Sequence, residues 1–291
     1  MRLLIILPFF LALSACETNK TEPTAAKAPA LEPTAPAPVK IAQPQLKSSV
    51  VRINVTQQTW SPGQPWEKNS PSNRRALAAI VGPERVLTTS ELIADSTYLE
   101  FESVDGTHFA QAKVISVDYE ANLALLGPVS EEEGSSLFKK TTPLEITVPP
   151  KIGEALEILQ IEDNGEAILT TGRLQSVDVA TNFLPGHRFL TYLVKASMQS
   201  GASSYSLPVL QNGKLAGILT SYDVKDQICD VASTDMIARF LKASSNGDYQ
   251  GFPSLGISIT RTEDSSFRQW LKLTEDQGGI YIHAVRKAGA A

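Results

Sequence analysis

Histidine and cysteine are scarce in this chain. His108, His187 and His283 are its only imidazoles, and Cys16 and Cys229 its only thiols, in 291 residues. None stand at the short spacings that metal ligands keep, so no metal site is expected, and no motif calls for another cofactor. Two cysteines give no intrachain disulfide framework if Cys16 is used elsewhere. A basic excess is missing as well: 26 lysines and arginines against 31 acids leave a net charge of −5, which argues against a nucleic-acid partner. The apolar run Leu3 to Leu13 is too short to span a bilayer in a mature protein.

That run nevertheless has a meaning. Met1-Arg2 followed by LLIILPFFLAL has the form of a signal peptide, over residues 1–15. It ends in Leu13-Ser14-Ala15-Cys16, which resembles a bacterial lipobox, and the resemblance implies cleavage before Cys16 and lipid on that cysteine. The competing reading is a plain secretory signal with a chance cysteine. Several acyl chains on one residue hold a protein stably, where a single chain is marginal. Residues 16–47 then turn rich in Pro, Ala, Thr and Lys, a composition that cannot bury enough apolar area to order itself, and read as a tether. Together these features predict a domain in the bacterial cell envelope, lipid-anchored through Cys16 and facing the periplasm. Cys229 is left as a buried small hydrophobe.

Beyond the tether, strands dominate. Val51, Ile53 and Val55 alternate with Arg52, Asn54 and Thr56, the period of a half-buried strand. Leu77–Val81 and Arg85–Thr88 follow, then Leu99–Glu102 turning at Asp105-Gly106 into Phe109–Val117, and the short apolar strand Ala121–Leu126. Ser130–Ser136 reads as a polar, acidic break. Ala155–Ile161 and Ala167–Val177 flank Asn164-Gly165, Arg188–Val194 is another strand, and Asn212-Gly213 marks a hairpin from Val209-Leu210 to Leu215–Ile218. Short strands at such spacing suggest two β-barrels, over 48–138 and 139–245. A helix is expected at Asp235–Lys242, burying Met236, Ile237, Phe240 and Leu241 behind a Ser233-Thr234 cap. A second is expected at Ser265–Leu273, capped by Asp264 or Ser265, with Phe267, Trp270 and Leu271 at helical spacing. Between them lies a linker, and a smaller domain occupies 252–291.

Several stretches, in order, resemble the HtrA/DegP family of trypsin-like serine proteases. SVVRINV resembles that family's first strand, VLTTSELI (86–93) its VLTNNHVV, and DGTHFAQAKVISVDYEANLALL its DGREFEAKVVGVDPETDLALL. TGRLQSV resembles TAGIVSA, and SGASSYSLPVL stands where the family has GNSGGPL. The resemblance implies an all-β fold: a chymotrypsin-like double β-barrel, then a PDZ-like domain, with few short helices. It also implies where a catalytic triad would stand, and there the chemistry is missing. The histidine position is Glu91, the aspartate position Asn122 and the nucleophile position Tyr205. The glycines around the nucleophile become Ser203, Ser206 and Leu207. A triad needs a hydroxyl, an imidazole to carry its proton and a carboxylate to orient the imidazole. Glu91 cannot shuttle protons at neutral pH as imidazole does unless its pKa is strongly raised. A shifted alignment would offer Ser203 as nucleophile and so an active serine endopeptidase, but none of His108, His187 and His283 is placed by the alignment as its base.

SLGISI, SFRQWLKL and GGIYIHAVRKAGAA resemble the opening half of an HtrA-type PDZ domain. By that resemblance Ser254, Leu255, Gly256 and Ile257 form the loop and strand that hold a peptide's terminal carboxylate. The competing reading is an ordinary turn and strand. The rest of a PDZ groove does not follow, so the expectation is either a truncated product or a remnant packed on the barrels. Trp60 and Trp66 in WSPGQPW are exposed-loop candidates for a partner surface or a cover for a barrel end. The function expected from all this is binding: a pseudoprotease that holds peptides or envelope proteins, or regulates a genuine protease, trimeric if it follows the family.

Overall fold

The computed structural model describes residues 46–198, 206–245, 247 and 249–287. The signal-peptide residues, Cys16, Ser203 and Tyr205 lie outside them.

Six strands close the first barrel: β1 (Val50–Gln57), β2 (Ser72–Gly82), β3 (Arg85–Thr88), β4 (Ser96–Glu102), β5 (Phe109–Asp118) and β6 (Leu123–Pro128), in the order β1-β2-β3-β6-β5-β4. Six more close the second: β7 (Ala155–Ile161), β8 (Ala167–Thr181), β9 (Arg188–Lys195), β10 (Pro208–Gln211), β11 (Lys214–Asp223) and β12 (Ile228–Ser233), in the order β10-β11-β12-β9-β8-β7. The hairpin between β10 and β11 turns at Asn212 and Gly213, both with positive φ (49° and 74°), the geometry that suits a right-twisted pair.

Alternation along β2, β3 and β6 shows how the barrels meet. Ala76, Ala78, Ile80, Val86, Ala124 and Leu126 point into the first barrel's own core. Leu77, Ala79, Leu87, Leu123 and Leu125 point the other way, into a core continuous with that of the second barrel. Strands buried on both faces need near-continuous apolar sequence, and these have it. Arg52 departs from the half-buried reading of β1. It is only 6% exposed, because the β7–β8 turn of the second barrel covers it and takes its guanidinium on the Glu162 carbonyl.

Helix α1 (Ser90–Ile93) follows β3, α2 (Glu131–Phe138) follows β6, and α3 (Thr234–Ser244) follows β12. α2 occupies the stretch expected to be a break. Ser130 caps it, accepting from Glu133 N, and three glutamates in its first turn favour the positive end of the helix dipole. β12, which carries Cys229, has no counterpart among the strands expected from sequence. α3 buries Thr234, Ile237, Phe240 and Ser244, while Met236 and Leu241 are only partly buried. Ser233 makes no side-chain cap there; the Thr234 hydroxyl instead donates to the Ala216 carbonyl at 2.6 Å.

After a linker, β13 (Ile257–Arg261) and β14 (Ile280–Val285) form a two-stranded sheet, with α4 (Ser265–Trp270) between them. Asp264 caps α4 by accepting from Phe267 N at 2.7 Å. No residue of α4 is buried, so the apolar spacing of Phe267 and Trp270 makes an aromatic cluster with Tyr281 rather than a core face. Among the described residues no helix is long and apolar enough to cross a membrane.

Candidate functional site

β3 ends at Thr88, and α1 begins two residues on, so Glu91 lies in the first turn of a short helix at the rim of the first barrel. Asn122 precedes β6 in the same barrel and is buried, with φ of 56°. Asparagine is among the few side chains that tolerate this left-handed backbone. The structure therefore brings the two positions together, but not as a proton relay. Asn122 Oδ1 accepts from Ser90 Oγ at 3.1 Å and from the backbone N–H of Glu91 at 2.9 Å. Its Nδ2 donates to Asn182 Oδ1 at 3.1 Å, and Asn182 lies just past β8 in the second barrel. The Glu91 carboxylate has no hydrogen bond to either asparagine. An amide carries no charge to orient a base, and Asn122 serves instead as a brace between α1 and the other barrel.

The third element enters at Ser206, the first described residue after the nucleophile position. Ser206 is fully buried, with φ of 63° where the resembled motif has glycine. Its amide donates to Leu219 O at 2.6 Å. Its hydroxyl lies 2.6 Å from Thr88 Oγ1 and accepts from Thr89 N–H at 3.3 Å. A serine has thus taken a glycine conformation, and its hydroxyl is caged by the strand end that leads to Glu91. Sequence reasoning registered Ser206 only as a lost glycine and missed Thr88 and Asn182, whose partners are 118 and 60 residues away.

None of the three histidines hydrogen-bonds to Glu91 among the described residues. His108 lies in the β4–β5 turn with its Nδ1 on Thr107 Oγ1, and His283 lies in β14 with its Nδ1 on Thr260 Oγ1. His187, in the β8–β9 loop, pairs through Nδ1 with Glu120 Oε2 at 3.2 Å, on the turn that carries Asn122. Both partners are about half exposed. No group of three potential metal ligands occurs among the described residues.

At the other candidate site, Leu255 is exposed, Gly256 has φ of 70° and its amide donates to Ser254 Oγ at 3.2 Å. Gly256 O accepts from Arg286 N, and Ile257 opens β13. The edge of β13 away from β14 pairs with no strand among the described residues. Trp60 and Trp66 are exposed, 56% and 76%, and the Lys68 ammonium lies 4.9 Å from the Trp60 ring centroid.

No family model matches the chain. Protease Do-like 4, mitochondrial, from Arabidopsis thaliana is 25% identical over 241 residues, 82% of this chain and 45% of that protein. The serine protease DegP homolog of Plasmodium falciparum is 24% identical over 213 residues, 72% of this chain and 24% of that protein. The chain thus spans less than half the length of these relatives. Among solved structures, the HtrA-type protease AlgW with decapeptide superposes with a TM-score of 0.60 at 16% identity, over 86% of this chain and 81% of that one. The active form of the Rv3671c protease from M. tuberculosis gives 0.53 at 20% identity, over 73% and 93%. The chain is thus similar in sequence to Do-like and DegP-like proteases, and its double barrel has the fold of HtrA-type protease structures.

Proposed function

We propose that this protein is a pseudoprotease that binds peptides or proteins on an HtrA-like scaffold without cleaving them, or regulates a protease that does. In this reading it is anchored through lipid on Cys16 in a bacterial envelope, faces the periplasm and assembles as a trimer. The observation that carries the reading is the use of Asn122. The residue at the aspartate position spends its carbonyl on Ser90 and the Glu91 backbone and its amino group on Asn182. With the caged hydroxyl of Ser206, this supports a joint between barrels where hydrolysis would need a free base and nucleophile. The β13 edge, with Ser254, Leu255, Gly256 and Ile257 leading into it, is the proposed place for an added peptide strand.

A second reading has one observation in its favour. His187, in the β8–β9 loop, pairs with Glu120 on the Asn122 turn, an imidazole–carboxylate pair that would be base and orienting group in an active serine endopeptidase with Ser203 as nucleophile. A fluorophosphonate probe and casein degradation separate the two. The pseudoprotease reading expects neither labelling nor degradation. Labelling lost in both Ser203→Ala and His187→Ala would establish the enzyme. Cys16→Ser should release the protein from membranes, and persistent membrane association would refute the anchor.

A further inference from the structure

One cavity includes neither Glu91 nor Asn122 in its lining. It is a cleft of about 1330 Å³ whose walls are the start of β1, the β4–β5 turn, the end of α2 with the residues after it, and the β7–β8 turn of the second barrel. Its frame is rigid. The buried Arg52 guanidinium donates to Val104 O at 2.8 Å on one wall and to Glu162 O beside the opposite wall. Satisfying two separate turns with one cation fixes their spacing before any ligand arrives.

The charge of the lining is opposite to that of the chain. Lys47, Arg52, Arg75, Lys139 and Lys140 face it, against the carboxylates of Glu102, Asp105 and Asp163, in a protein of net charge −5. Two of those carboxylates are already neutralised. Glu102 lies against both Arg52 and Arg75 and accepts from Asn54 Nδ2, and Asp163 pairs with Arg75 at 3.2 Å. Asp105 is turned onto its own loop, accepting from the Ser103 and Thr107 hydroxyls and the Thr107 amide. Lys139 and Lys140 are exposed and form no ion pair among the described residues. The uncompensated charge at the cleft is therefore positive.

Size and polarity narrow the ligand. Small-molecule sites run to about 1,000 Å³ and are lined mainly by apolar side chains. This cleft is larger, and Ser48, Ser103, Ser135, Ser136 and Thr141 line it. The hydroxyls of Ser103, Ser135 and Thr141 donate to Asp105, Glu84 and the Phe138 carbonyl, and those of Ser135 and Thr141 can still accept from a ligand's N–H groups. Closed barrels leave it no free strand edge, so recognition must run through side chains. We infer that the cleft binds an acidic, extended segment of a partner protein, its carboxylates on Lys139 and Lys140 and its polar backbone on the hydroxyl-bearing walls. The inference extends the holding function proposed above, by naming the chemistry of what is held.

The test is fluorescence anisotropy of the full chain with a short fluorescein-labelled oligoglutamate, alongside oligoglutamine of equal length and phosphatidylglycerol vesicles. Binding of oligoglutamate alone, weakening as salt rises, is expected, with a loss of about tenfold in K139E/K140E. Arg75→Gln, which alters the frame rather than the free cations, should cost less. Absence of oligoglutamate binding, or binding unchanged in K139E/K140E, overturns the inference. So does lysine-dependent binding of the vesicles alone, which would make the cleft a headgroup site. Mass spectrometry of the recovered peptide keeps the two claims apart: cleavage would refute the pseudoprotease reading and leave the cleft standing.

Discussion

The hydroxyls of Thr88 and Ser206 lie 2.6 Å apart, joining the end of β3 in one barrel to the approach to β10 in the other. Ser206→Ala should destabilise the protein by about 1–3 kcal/mol, since it orphans buried groups on Thr88 and Thr89 and keeps a Cβ at φ of 63°. Ser206→Gly should cost about 1 kcal/mol less, because the backbone strain goes. Urea unfolding of both, with Thr88→Val in a double-mutant cycle, measures the hydroxyl pair, and a coupling near zero would show that it does not join the barrels.

Gly217 in β11 has no room for a side chain. A Cβ there would lie 2.3 Å from Val231 Cγ1 and 2.7 Å from Ala232 O on β12. Gly217→Ala should therefore part the two strands and cost about 1–3 kcal/mol, read as a fall in the urea midpoint.

Cys229 is fully buried in β12 and its thiol donates to Met198 Sδ at 3.5 Å. Burial, then the charge of Asp230, pushes the thiol up to about 12. In a Cys16→Ser background, iodoacetamide at mildly alkaline pH should leave Cys229 unlabelled in the native protein and label it fully in urea. Native labelling at the rate of a free thiol would contradict this packing.

The linker after α3 is latched by Tyr249, whose hydroxyl donates to Asp118 and whose ring packs edge-on against Phe240. Burial first, then the hydrogen bond and charge of Asp118, hold the phenol neutral well above the ordinary tyrosine range. The folded state thus binds this proton more tightly than the unfolded state. The latch's contribution is complete below about pH 10, where a free tyrosine titrates, and is lost as pH rises above it. Tyr249→Phe should cost about 1–2 kcal/mol at neutral pH and should flatten the alkaline fall in stability, measured by urea unfolding across that range.

The strands were largely legible because β pairing in a barrel leaves a period-two or near-continuous apolar trace, as in β1 and β6. What escaped was set by distance in sequence or by mixed local signals. α2 hides in Glu131-Glu132-Glu133, which reads as a solvated break until the Ser130 cap and the buried Leu137 and Phe138 are seen together. β12 carries a polar Asp230 between Cys229 and Val231, too short a pattern to stand out. Arg52 reads as the wet side of an alternating strand, because the turn that covers it comes 110 residues later. The positions of Glu91 and Asn122 could be read from motif order, but the brace between Asn122 and Asn182 could not, having no local signature.

The two barrels are contiguous in sequence, β1 to β6 in Val50–Pro128 and β7 to β12 in Ala155–Ser233. A chain emerging from its N-terminus can close the first barrel before the second exists. At that moment Leu77, Leu87 and Leu125 present an oily flank to water, and Arg52 has no Glu162 carbonyl to receive it. The first barrel alone would therefore expose an apolar flank and a guanidinium that only the second barrel covers.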